Sequence, residues 1–144
     1  MFTCMASTTY ANKPIYFGCN KALDANTYSM WVTEEHGIGS WIEIQFKAYY
    51  SLAAIEIRKH NTEQYLGVPI NNIKEMSLMF SGNINKEVIL PNITYLEWHI
   101  ITLTPWIISN ALRISTMSVH GAEHVSVAIS EINFYGITGN NLFL

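Results

Sequence analysis

Charge is what this chain has least of. Charged residues fill 13% of its positions, about half the usual share in soluble domains. Eight lysines and arginines stand against eleven acidic residues, a net charge of −3. With no basic patch to neutralise phosphates, the sequence predicts no nucleic-acid partner. Long apolar runs are missing too. A stretch such as "WIISNALRI" is too short and too polar to cross a bilayer, so no membrane span is expected. The opening "MFTCMASTTYANK" lacks a basic start followed by an apolar run. It does not read as a signal peptide, and the expectation is an intracellular protein. Cysteine is scarce. Cys4 and Cys19 could pair, but a reducing compartment would keep them as thiols, so they read as two small buried hydrophobes. A glycosylation sequon at Asn92 would count only after secretion.

Apolar residues fill the space that charge leaves. They make up 49% of 144 positions, which argues against disorder. A chain this long buries roughly 68–70% of its unfolded surface, enough for one core. No repeat, linker or low-complexity block divides residues 1–144, so they read as a single domain. The apolar residues come in short alternating runs. "SWIEIQF" alternates from Trp41 to Phe46, and "LAAIEIRKH" continues in the same manner. "EMSLMFSG" sets Met76, Leu78 and Phe80 on one face, with Ser81, Gly82 and Asn83 as a turn. "KEVIL" stops at Pro91, and "YLEWHIITL", "ALRISTM", "VSVAIS" and "EINFYG" complete the set. Val, Ile, Thr, Tyr, Trp and Phe fill these runs, as pleated surfaces favour. About eight strands and no secure helix predict an all-β antiparallel sandwich or barrel. "PINNIKEMS" could hold one helical turn. The cluster Trp98, His99, Pro105 and Trp106 could be a sugar- or protein-binding patch. It reads here as core packing with an edge proline.

One motif invites chemistry. "HGAEH", residues 120–124, is His-x-x-Glu-His, the inverted zinc-protease signature. That chemistry needs a helix, because only there do residues i and i+4 share one face. "SVHGAEHVSVAIS" has Gly121 inside and strand-like alternation after His124, so no zinc is expected. Gly-x-Ser-x-Gly, phosphate-cradling glycine loops and Cys-x-x-Cys are absent as well, and the sequence predicts no enzyme.

The informative stretch is "ALDANTYSMW". Asp24, Asn26, Ser29 and Trp31 form Asp-x-Asn-x-x-Ser-x-Trp, and "WIEIQF" follows ten residues after Trp31. "ASTT" precedes them at Ala6 to Thr9; "MFSGN", "ALRI" with Arg113, and "SEINFYG" with Glu131 follow. Six weak motifs in this order, over nearly the whole chain, resemble the discoidin or coagulation-factor type C family, which has a galactose-binding-like jelly-roll fold. Two departures stand out. Ala25 takes the family's loop glycine, which puts a positive φ there in question, and the family's end-joining cysteine pair is missing at the C-terminus. The latter fits an intracellular branch.

The resemblance implies a structural calcium ion in that loop, with Asp24, Asn26, Ser29 and Glu131 as candidate ligands. These are hard oxygen donors. The same side chains could instead simply cap a turn through backbone hydrogen bonds. Trp31 and Trp41 read as core anchors beneath it. The family resemblance also places "HGAEH" in the loop joining its last two strands. "ISTMSVHGAEHVSVAISEINFYG" looks like the small calcium-binding subunit of the intraflagellar-transport complex, and "FKAYYSLAAIEIRKH" looks somewhat like nicolin. The function this implies is a non-catalytic scaffold subunit of a ciliary or axonemal assembly. Its partners would be proteins, tubulin among them, meeting end loops such as His36 to Ser40 and a face near Trp98 to Trp106. The alternative is a calcium-dependent carbohydrate-binding module of a secreted or cell-surface protein.

Overall fold

The computed structural model describes residues 2–26, 28–59, 64–65, 67–92, 98–138 and 141–143. Ten strands run through them: β1 (Phe2–Ala6), β2 (Trp31–Val32), β3 (Trp41–Lys59), β4 (Gln64–Tyr65), β5 (Val68–Asn71), β6 (Ile73–Phe80), β7 (Ile84–Ile89), β8 (Trp98–Val119), β9 (Ser126–Thr138) and β10 (Asn141–Phe143). Among the described residues, helix is confined to short turns at Tyr10–Asn12, Pro14–Phe17 and Cys19–Ala22. None of these is long and apolar enough to cross a membrane. The architecture is the expected antiparallel jelly roll. The run that could hold a helical turn, "PINNIKEMS", instead spans β5 and β6, because its buried Ile70, Ile73 and Met76 pack better on sheets than around one turn. Tyr95, Leu96 and Glu97, expected at the start of a strand, lie outside the described residues.

The spine is the antiparallel pair β3–β8. Trp41–Gln45 lie opposite Ser115–Ala111, and Ala54–Arg58 lie opposite Thr102–Trp98. Two register shifts interrupt the ladder, one between Gln45 and Tyr50 and one between Leu52 and Ala54. A single extra residue moves a strand's apolar set to its other face. Accordingly Ile42, Ile44, Phe46 and Leu52 are buried at even positions, then Ile55 and Ile57 at odd ones. This switch lets one strand serve two packed layers. β1, β6 and β7 extend the first half of the spine, and β9 extends the second.

One core cluster joins these layers: Ile42, Ile44 and Phe46 meet Ile55, Ile57, Leu78, Ile114, Ile129 and Phe134. Each such side chain contributes about 1.5–3 kcal/mol when fully buried. A second cluster lies on the other face of β9, where Val32, Ala128, Val68 and Ile70 pack with Phe17 and Tyr10. It fixes the N-terminal turns against β5 and β9.

Three expectations about individual residues change. Cys4 and Cys19 are joined by a disulfide and are not two separate thiols, since β1 and the turn at Cys19–Ala22 come within bonding distance. Trp98 and Trp106 are not core residues. They are 38% and 52% exposed, because they occupy outward positions of β8 while Ile101 and Leu103 point inward. Trp31 is a core anchor, 1% exposed, with its indole N–H donating to the Thr8 carbonyl at 3.0 Å. Trp41 is only partly buried, and the Arg113 guanidinium lies 3.9 Å from its ring centre.

Candidate functional site

Two places on β9 hold chemistry. The first is the Asp24 loop, reached from the disulfide-anchored turn at Cys19–Ala22. Asp24 Oδ1 accepts the Asn26 backbone N–H at 2.9 Å, and Asp24 Oδ2 accepts the Ser29 hydroxyl at 2.7 Å. Asn26 Oδ1 accepts the Tyr28 N–H at 3.1 Å. These are Asx turns, which Asp and Asn form because their short side chains reach their own backbone two residues on. Ala25 has φ 58°. The fold keeps the left-handed turn where the family pattern has glycine, at a cost of about 1–2 kcal/mol for a residue bearing Cβ.

Hydrogen bonding within the turn accounts for Asp24, Asn26 and Ser29. It leaves Glu131 unexplained. Glu131 lies on β9, is 4% exposed, and its Oε2 has no hydrogen-bond partner. Burial, reinforced by the negative charge of Asp24, pushes its carboxyl up to about 7, while the Ala25 and Ile132 amides pull the other way. So the structure brings Glu131 against the Asp24 loop, where the Ala25 amide bonds to it and the charge of Asp24 acts on it. Groups of three or more His, Cys, Asp or Glu suited to a metal are absent among the described residues. Asp24 and Glu131 make only a pair of carboxylates, and the other donors would be amide, hydroxyl or carbonyl oxygens, a set that fits a hard cation such as Ca2+.

The second place is a cleft of about 210 Å3, lined by Tyr10, Glu35, Val68, Pro69, His124, Val125 and Ser126. Val68 and Pro69 come from β5, while Glu35, His124 and Val125 come from two loops, 33–40 and 120–125, that continue the β2–β9 ladder beyond the strands. The Thr33 N–H donates to the Val127 carbonyl at 3.0 Å, His36 N–H to His124 at 3.2 Å, and Gly37 N–H to Val125 at 3.3 Å. Gly37 is required here, since a Cβ would stand 2.9 Å from the Val127 side chain and backbone. Loop 120–125 is a bend and turn, not a helix, so "HGAEH" does not stack its histidines on one face. The loop is held from behind. The His120 Nε2 sits 2.9 Å from the Leu90 carbonyl, and the Asn71 side-chain amide donates to the Ala122 carbonyl. Ser126 is 2% exposed, and its hydroxyl has no partner. A buried unpaired hydroxyl costs about 1–3 kcal/mol; this oxygen is itself closed off from solvent although its residue lines the cleft.

Sequence reading named the His36 to Ser40 loop and the "HGAEH" loop separately, but missed Tyr10, Glu35 and Ser126. The doublet Glu34-Glu35 before His36 was the available signal. A third feature is an open cleft of about 540 Å3 beside Trp106, between β8 and Ile84, Asn85 and Lys86 of β7.

No protein-family model matches the sequence, and no curated protein matches it. Solved structures do. The chain is similar to an F5/8 type C domain from Bacteroides fragilis, with a TM-score of 0.74 at 15% identity over 92% of this chain and 89% of that one. It is similar to the family 32 carbohydrate-binding module of Clostridium perfringens NanJ, solved in complex with galactose. There the TM-score is 0.72 at 15% identity, covering 92% of both chains. A chitosan-binding module from a Paenibacillus chitosanase/glucanase, in complex with chitotriose, aligns with a TM-score of 0.70 at 14% identity, over 93% of this chain and 95% of that one. The fold is that of F5/8 type C jelly-roll domains.

Proposed function

We propose that this domain is a non-catalytic carbohydrate-binding module whose ligand sits in the cleft between loops 33–40 and 120–125. The observation that carries the reading is the convergence of Glu35, His124 and Tyr10 on one small space, with Ser126 in its wall. Sugar hydroxyls both donate and accept. A carboxylate, an imidazole and a hydroxyl answer them, and the Tyr10 ring offers an apolar face. About 210 Å3 is below the roughly 300–1,000 Å3 of drug-sized pockets, so the site suits one or two sugar units. That structural neighbours bind galactose and chitotriose supports the same reading.

Calcium in this reading is structural. Asp24 and Glu131 would hold it with carbonyl oxygens of the loop, Asn26 and Ser29 keeping the turn in shape. The ion would supply the positive charge that a buried Glu131 and its neighbour Asp24 call for. The Cys4–Cys19 disulfide supports an oxidising, extracytoplasmic setting. A second reading, a protein-binding subunit of a ciliary or axonemal assembly, draws on the outward Trp98, Ile100, Trp106 and Ile108 of β8 and on the resemblance in sequence. A glycan array probed with calcium-loaded protein decides between them. Binding to a defined sugar, lost in His124→Ala, is expected. No sugar bound, together with recovery of the native protein in a large assembly, would overturn the carbohydrate reading.

A further inference from the structure

Two strands end their sheets along the same side of the sandwich. Among the described residues, β7 pairs with β6 alone. Residues 98–108 of β8 pair with β3 alone, since β6 meets β8 only from Leu112 onward. The open cleft of about 540 Å3 lies between these two edges, walled by residues 84–86 of β7 and 103–108 of β8. The Lys86 ammonium donates to the Thr102 carbonyl at a long 3.3 Å, so a backbone acceptor of β8 is open to β7. We propose that this cleft binds an extended peptide segment of a partner protein, one that carries an acidic residue and lies along β8 as an added strand. Such a site is separate from the sugar cleft and independent of it.

Size, charge and shape name the occupant. At the spacings of a sheet, about 4.8 Å across, 10 Å deep and 3.3 Å along, such a cleft holds roughly three or four residues of an added strand. Main-chain bonds to a free edge supply affinity, and alternate side chains supply selectivity. Lys86 is the single charged residue in the lining. Glu87 points to the other face of β7, where it lines a separate hollow with Glu75. Among the described residues the one ion pair joins Arg113 to Glu43, so no carboxylate answers Lys86 there. Exposed Ile84, Trp106 and Ile108 offer apolar contacts on either side of it. A second copy fits poorly. Lysine and proline on an edge guard against pairing with like strands, and each copy would bring its own Lys86 and Pro105. A segment bearing an acid can instead draw Lys86 off Thr102.

The experiment selects from a displayed library of random ten-residue peptides against the whole chain, then repeats the selection on Lys86→Glu. The wild type should enrich peptides that alternate apolar residues around an acid, and Lys86→Glu should enrich basic ones. The best wild-type binder is then synthesised. Methylating its alternate backbone nitrogens, in one of the two phases, should abolish binding, because an added strand needs those N–H groups. Lys86→Gln should weaken binding about fivefold, the upper end for an exposed ion pair. Trp106→Ala should weaken it further, with the melting temperature unchanged because Trp106 is half exposed. Enrichment indifferent to Lys86, or full binding by the peptide methylated in either phase, overturns the proposal. So does full affinity in a folded Trp106→Ala variant, or sedimentation showing that the cleft is closed by a second copy of the chain.

Discussion

Two buried oxygens on β9 have no hydrogen-bond partner, and they differ in kind. Glu131 Oε2 belongs to an ionisable group facing a second carboxylate. Ser126 Oγ is neutral and sealed within a residue that lines a cleft. They stand five residues apart, about 16 Å along an extended strand. An orphaned carboxylate can be relieved by a proton or a cation, so its site should respond to pH and metal. An orphaned hydroxyl can be relieved only by another hydrogen-bonding group, so its site should respond to a polar ligand and hardly to salt or pH. On the proposed reading one strand thus carries a place for an ion and a place for a sugar, and the difference between them can be tested by breaking them together and then apart.

Trp31 breaks them together and should give the largest effect. It pairs with Ile129, between the two positions, and its indole holds the segment at Thr8. Trp31→Ala should cost about 3–5 kcal/mol through the cavity and the lost bond. Denaturant unfolding should show that loss, with calcium stabilisation and sugar binding weakened in parallel. If one site keeps its ligand while the other loses it, the shared-strand account fails.

Calcium and pH separate the sites. Glu131 titrates near 7 when folded, against 4.5 as an ordinary carboxyl. Between those values the folded state holds more protons than the unfolded one, so metal-free stability is fully present below pH 4.5. It falls as pH rises to about 7, by about 3 kcal/mol from this group. Calcium needs the ionised form, so its stabilisation should grow over the same window. At 100 times its dissociation constant it adds about 2.7 kcal/mol, a rise of roughly 5–10 °C in melting temperature for a chain of this size. Asp24→Ala should abolish the rise. Thermal scans at pH 5 and 8, with calcium and with a chelator, measure both slopes. The absence of any calcium shift would leave the loop a capped turn.

How much of this was legible follows from distance along the chain. Asp24, Asn26 and Ser29 fall within six residues, so their turn could be read directly, and the alternation around Ile42, Met76 and Ile114 announced strands. The parity switch in β3 could not be read, because a bulge depends on the partner strand as much as on the sequence. Two cysteines fifteen residues apart say nothing of geometry until β1 is placed. The cleft was least visible of all. Tyr10, Glu35, Pro69 and His124 come from four separate segments, and they meet only once β2 and β5 pair with β9 and the second core cluster seats Tyr10. The motif that looked most chemical, "HGAEH", provides a wall of that cleft. The ciliary resemblance rests on sequence segments alone.

Ser126→Ala is the smallest perturbation and the sharpest contrast with Asp24→Ala. In the free protein it removes a buried hydroxyl that has no partner among the described residues, so the desolvation it cost on folding disappears. Stability should stay level or rise by up to about 1 kcal/mol, and calcium should still raise the melting temperature by the wild-type amount. Sugar affinity should fall several-fold, about the worth of one neutral hydrogen bond. The pattern to look for is a variant that is equally or more stable yet binds less well, which no purely structural role of Ser126 produces. A clear drop in melting temperature would show that the hydroxyl supports the fold. An unchanged affinity would show that the ligand does not reach the floor of the cleft.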